Sequence, residues 1–164
     1  MTFEEFAASR LPALLRFAVV LTGDRALAED VVQEVLIRTH AKWRRISGLE
    51  APEPYVRRMV VNEYLSWRRR WARQVPQAEP ADTRSVADHA AQHAERDALL
   101  TELRKLPARQ RAVLVLRYYE GLSDVEIAAV LGCSNGTVRG YASRALAALR
   151  IELGPLPAFV REDH

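Results

Sequence analysis

Residues 123–146 read SDVEIAAVLGCSNGTVRGYASRAL, and local signals divide them into two helices. Ser123-Asp124-Val125-Glu126 has the S-x-x-E form of a capping box, in which the two side chains exchange hydrogen bonds with each other's backbone amides. Gly132 tolerates the positive φ of a tight turn, and Ser134 or Asn135 can cap the helix that follows. Ala128 is the small residue that two steeply crossing helices need where they touch, and Val138 is a β-branched anchor facing it. Ile127, Leu131, Ala142, Ala145, Leu146 and Leu149 continue the inner face. The stretch predicts a helix-turn-helix whose second helix runs to about Arg150.

Thr137, Arg139, Gly140, Ser143 and Arg144 are left for the outer face of that second helix. Residues 134–150 contain Arg139, Arg144 and Arg150 and no acidic residue. Basic and hydroxyl side chains on a short helix suit the base edges and phosphates of a major groove, and the amides of its first turn favour an anion. A helical hairpin with a solvated basic face is the plainer alternative. Cap, small residue, glycine and anchor agree in register, which favours DNA.

Upstream, Leu99, Leu100 and Leu103 define a helix that ends before Pro107. Pro107 opens the next, carrying Val113, Leu114, Leu116 and Arg117, and Gly121 stops it. Residues 74–94 hold two prolines and few large apolar side chains, as a flexible linker does. The N-terminal part carries three helical patterns. Residues 3–21 place Phe6, Leu14, Phe17, Ala18 and Leu21 on one face, and Gly23 and Asp24 supply a stop and a cap. Residues 25–43 place Leu27, Val31, Val35 and Thr39 on a stripe that Val32 and Leu36 widen. Residues 46–54 read as a loop, with Pro54 in the first turn of a helix carrying Val56, Val60, Tyr64, Trp67 and Trp71 and ending in Arg68-Arg69-Arg70. The two tryptophans continue the apolar stripe, so packing is favoured over stacking on bases.

The fold class expected is all-α: two small helical domains, residues 1–73 and 95–150, joined by a flexible linker at 74–94 and followed by a tail at 151–164. Charge follows the same division. Residues 1–75 carry 13 Lys+Arg against 9 Asp+Glu, residues 76–98 carry 2 against 5, and residues 99–164 carry 9 against 7. Two mildly basic blocks around an acidic stretch fit a nucleic-acid partner. Cys133 is the only cysteine, so an internal disulfide is impossible. Leu11–Thr22 is too short and interrupted to span a bilayer, no signal peptide is evident, and a cytoplasmic location is expected.

At these residues the chain resembles the extracytoplasmic-function sigma factors, group 4 of the sigma-70 family. Residues 103–150, LRKLPARQRAVLVLRYYEGLSDVEIAAVLGCSNGTVRGYASRALAALR, resemble region 4. DRALAEDVVQEVLIRTHAKW, residues 24–43, resembles region 2.2, and PYVRRMVVNEYLSWRRRW, residues 54–71, resembles regions 2.3 and 2.4. The resemblance implies a sigma factor that binds core RNA polymerase and directs promoter-specific initiation. It implies that Asp30, Gln33, Glu34, Ile37 and Arg38, opposite the core stripe, grip the clamp helices of the β′ subunit, with the β flap a further contact. It implies that a loop around Arg45–Glu53 captures a flipped base of the minus-10 element, and that Arg58, Asn62, Arg68, Arg69 and Arg70 track the opened strand. Region 4 would read the minus-35 duplex through Thr137, Arg139, Gly140, Ser143 and Arg144. Where many relatives have Ser-Arg this chain has Gly140-Tyr141, so a basic contact is exchanged for a hydroxyl-bearing ring. The resemblance leaves room for a separate anti-sigma protein.

Two rival classes are weighed. A helix-turn-helix regulator acting without polymerase would share the C-terminal unit but gives no reason for the Asp30/Glu34 face or the Asn62–Arg70 segment. An enzyme would need a catalytic constellation, and no catalytic residue, cofactor or metal is expected: His40, His89, His93 and His164 are scattered, and His89 and His93, four apart and able to share a helix face, lie in a soft linker with no third ligand.

Overall fold

The computed structural model describes residues 1–74 and 94–154, with the side chains of residues 94–96 left out. The linker expected at 74–94, with His89 and His93, falls outside the described residues except for its two ends, and so does most of the expected tail. Among the described residues every regular element is helical, in two compact units.

The first unit holds α1 (Phe3–Thr22), α2 (Arg25–Ala41), the single turn α3 (Trp43–Ile46) and α4 (Pro52–Gln74). Thr2 and Glu5 form a capping box at the start of α1, and Gly23 ends it in the left-handed conformation at φ 71°. Asp24 then caps α2 through the amide of Leu27. Helices α1, α2 and α4 pack on one another around Leu14, Phe17, Leu21, Val31, Val35, Val56, Val60 and Tyr64, all buried. On α2 the inner face is Ala28, Val31, Val32, Val35 and Thr39, while Leu27 is half-buried.

Three expectations shift here. The helix expected over 25–43 ends at Ala41, because Trp43 turns back to pack its ring on Phe6 at 4.9 Å and Phe3 at 5.9 Å. The loop is shorter than 46–54: Ile46 is buried in α3, and α4 begins at Pro52, whose ring suits a first helical position. Glu53 is held there by Arg57 at 2.7 Å and Arg10 at 3.2 Å. The packing stripe stops before Trp67 and Trp71. Both are only half-buried and stack on each other, centroids 5.7 Å apart and planes 19° from parallel.

The second unit holds α5 (Ala94–Lys105), α6 (Ala108–Leu114), a π-helical turn over Val115–Tyr119, α7 (Asp124–Leu131) and α8 (Asn135–Leu153). Leu103, Leu106, Leu114, Ala145, Leu146 and Leu149 form the core where α5 and α6 meet α8. Leu153 packs on this cluster, so α8 runs one turn-fraction past Arg150 before Gly154 ends it. Arg111 is buried, its Nη1 donating to the carbonyl oxygens of Leu103 at 3.4 Å, Arg104 at 3.0 Å and Leu106 at 3.4 Å. The Leu103 carbonyl also accepts from the Leu106 amide at 3.2 Å, and the arginine adds a donor at the end of α5, acting as a C-terminal cap from another element.

Candidate nucleic-acid interface

The turn between α7 and α8 forms as the residues dictate. Ser123 Oγ accepts from the Glu126 amide and a Glu126 carboxylate oxygen accepts from the Ser123 amide, each at 3.2 Å. Gly132 takes φ 67°. Of the two candidate caps for α8 it is Ser134 that serves, accepting from the Thr137 amide at 3.1 Å. Ile127, Ala128, Leu131, Val138, Ala142 and Ala145 are buried between the helices.

That burial fixes what α8 presents outward. Arg139, Ser143 and Arg144 are exposed, and Thr137 and Gly140 are half-buried. The Thr137 hydroxyl lies 2.9 Å from Ser134 Oγ, closing the first turn. Arg144 places its guanidinium carbon 5.4 Å from the centre of the Tyr141 ring. A Cβ at position 140 would stand 3.4 Å from Arg144 Nη1, at van der Waals contact, so the guanidinium lies back along the helix against Gly140. Gly140, Tyr141 and Arg144 are therefore one packed group.

Beside this face runs an open groove of about 690 Å³, lined by Arg117, Ser123, Arg139, Ser143 and Arg150 among others. The sequence places Arg117 only within a helix. It is paired to Asp124 and ties the π-helical turn to α7. Burial opposes its charge, but hydrogen bonds to the side chains of Asp124 and Tyr118 and their negative fields outweigh that, holding the guanidinium above its ordinary pKa.

In the first unit, Arg58, Asn62 and Arg69 are exposed on α4 at spacings of four and seven residues, which places them on one face. Arg73, four further on and also exposed, joins them without having been singled out in the sequence. Arg68 and Arg70 leave that stripe. Arg68 folds back to Tyr64, its Nη1 3.4 Å from the phenol oxygen. Arg70 turns to Glu63, Nη2 to Oε1 3.1 Å, and to Ser66 Oγ at 2.8 Å. On α2, Asp30, Gln33, Ile37 and Arg38 are exposed and Glu34 is half-buried, so all five lie outside the core. Ile37 is 59% exposed at the centre of this polar group, which gives the face an apolar centre within a polar rim. Glu63, buried and unsuspected from sequence, pairs with Arg38 as well as Arg70. An acid in an apolar stretch of helix signals nothing until its partners are in place.

The described residues contain no helix long and apolar enough to cross a membrane. Comparison with known proteins matches residues 6–74 to the model of Sigma-70 region 2 and residues 96–149 to that of Sigma-70, region 4. The chain is 42% identical over 154 residues to the RNA polymerase sigma-E factor of Streptomyces avermitilis, spanning 93% of this chain and 86% of that one. The chain belongs to the extracytoplasmic-function sigma factors of the sigma-70 family. It binds RNA polymerase and promoter DNA and directs promoter-specific transcription initiation. This sigma factor is also 34% identical, over 159 residues, to the ECF RNA polymerase sigma factor SigL of Mycobacterium tuberculosis, covering 94% of this chain and 88% of that one. Among solved structures it is similar to the sigma factor RpoE of Bartonella quintana, in complex with the anti-sigma factor NepR. The TM-score is 0.71 at 29% identity, over 99% of this chain and 98% of that one. A helix-turn-helix regulator working without polymerase is not favoured by these likenesses.

Proposed function

We propose that the sigma factor divides its work between residues 1–73 and 95–150, with 74–94 as the connection and 151–164 as a tail. In the first unit, Asp30, Gln33, Glu34, Ile37 and Arg38 dock on the β′ clamp helices, while Arg58, Asn62 and Arg69 follow the opened minus-10 strand with Arg68 and Arg70 flanking them. In the second, Thr137, Arg139, Gly140, Ser143 and Arg144 seat α8 against the minus-35 duplex, and the unit rests on the β flap. The observation that carries the reading is the absence of acids over residues 134–150, with Arg139, Ser143 and Arg144 all exposed on the second helix of a helix-turn-helix. The apolar centre of the α2 face at Ile37 supports the polymerase contact.

The sigma factor carries no catalytic group in this reading. It holds two weak DNA contacts at a fixed separation on polymerase, and linking them raises the effective concentration of the second. Binding the opened strand better than the duplex favours melting by that difference alone. The location is cytoplasmic, where polymerase works. The whole-chain likeness to an anti-sigma-bound RpoE supports control by a separate anti-sigma protein. Transcription in vitro with core polymerase and promoter libraries tests the division. Arg144→Ala should lose minus-35 discrimination and keep polymerase binding; loss of both, with the fold intact, rejects it.

A further inference from the structure

The carboxylate of Glu63 lies between α2 and α4 with its side chain only 7% exposed, and each oxygen is taken by a different arginine. Oε2 accepts from Arg38 Nη1 at 2.9 Å and Oε1 from Arg70 Nη2 at 3.1 Å. The network continues at both ends: Arg38 Nε donates to Glu34 Oε1 at 3.0 Å, and Arg70 Nη1 donates to Ser66 Oγ at 2.8 Å. Arg38 and Arg70 are each about half exposed, at 49% and 50%. An outside partner can reach either arginine but not the acid between them.

We propose that Glu63 is a positioning residue that couples the polymerase-docking face to the strand-binding face, a role that rests on the division of surfaces given above. One carboxylate shared by two guanidiniums holds each less firmly than it would hold one alone, and burial strengthens that competition. Loss of Arg70 leaves Glu63 wholly to Arg38 and draws that side chain inward from the polymerase face. Loss of Arg38 draws Arg70 inward from the DNA in the same way. Coupling of this kind is reciprocal.

The experiment measures affinity of the full chain for core polymerase in the absence of DNA, where Arg70 has no strand to touch. Arg70→Ala should weaken that affinity by about fivefold or more, and the effect should vanish in the Glu63→Gln background. Arg70→Lys keeps a cation for Glu63 and should restore affinity, which provides the test if Glu63→Gln does not fold. Arg16→Ala, at an exposed position on α1, removes a charge elsewhere and should change nothing. Equal effects of Arg70→Ala with and without the Glu63 carboxylate overturn the coupling, as does Arg70→Lys behaving like Arg70→Ala. No effect of Arg70→Ala while Arg38→Ala still weakens docking overturns the coupling and leaves the division of surfaces standing. If Arg38→Ala also leaves docking unchanged, the surface assignment falls and the coupling with it.

Discussion

Arg144 and Arg111 are both arginines of the second unit, yet one is exposed on α8 and the other is sealed beneath α5. The difference sets opposite expectations. Arg144→Ala removes the donor proposed to face DNA, and minus-35 duplex binding should fall by about 1–3 kcal/mol in a gel-shift titration with holoenzyme, the melting temperature staying put. Arg111→Met removes the donor that the Arg104 and Leu106 carbonyls share, while the Leu103 carbonyl keeps the Leu106 amide at 3.2 Å. Unmet buried acceptors cost about 1–3 kcal/mol each, so a loss of ~3 kcal/mol is expected in urea unfolding, with DNA binding lost only as the unit melts. Composition marks both simply as basic; burial tells them apart. Tyr141 belongs with Arg144, because its ring lies under the guanidinium. Tyr141→Leu should alter the minus-35 sequences selected from a randomised pool while polymerase binding is retained.

Glycines of the helix-turn-helix show how the backbone of an element responds. Gly132 sits at φ 67°, where a Cβ is strained. Gly132→Ala should destabilise the second unit by roughly 1–2 kcal/mol. Gly136 lies in the first turn of α8, and a Cβ there would meet only Ser134 Oγ at 3.9 Å and Arg139 Nη2 at 4.0 Å. Gly136→Ala should raise stability by up to about 1 kcal/mol. Thermal melts of the two variants should therefore move in opposite directions, and a shift of the same sign would contradict the turn geometry. The capping box, the left-handed glycine and the inner face of α7 and α8 were legible because each is fixed within a few residues. The π-helical turn over Val115–Tyr119 was not, since nothing in VLRYY distinguishes it from continued α-helix.

At the scale of the molecule, two compact units share one chain, and in the proposed division of work recognition depends on both reaching their elements at once. Inserting about half a helical turn, ~5 base pairs, between the minus-35 and minus-10 elements rotates one site away from the other. Transcription in vitro should collapse on that promoter and recover when a full turn is inserted only if the connection can stretch. The basic stripes predict strong salt dependence as well: removing Arg69 or Arg58 should reduce the slope of log affinity against log salt for single-stranded minus-10 DNA by about 0.7 each.

The amino-acid sequence determined the helical class, the two-unit organisation, the helix-turn-helix and the outward position of Arg139, Ser143 and Arg144. It did so because apolar periodicity, caps and glycine turns are local and leave few alternatives for which face is buried. Only the tertiary structure decided that Trp43 breaks away from α2, that Arg68 and Arg70 turn aside from the Arg58–Asn62–Arg69 stripe, and that Glu63 joins Arg38 to Arg70. Trp43 with Phe6 and Arg38 with Glu63 are joined across different helices, whereas Arg68 and Arg70 choose among Tyr64, Ser66 and Glu63 on their own helix. A long polar side chain can reach several neighbours, and packing, not periodicity, selects which one it meets.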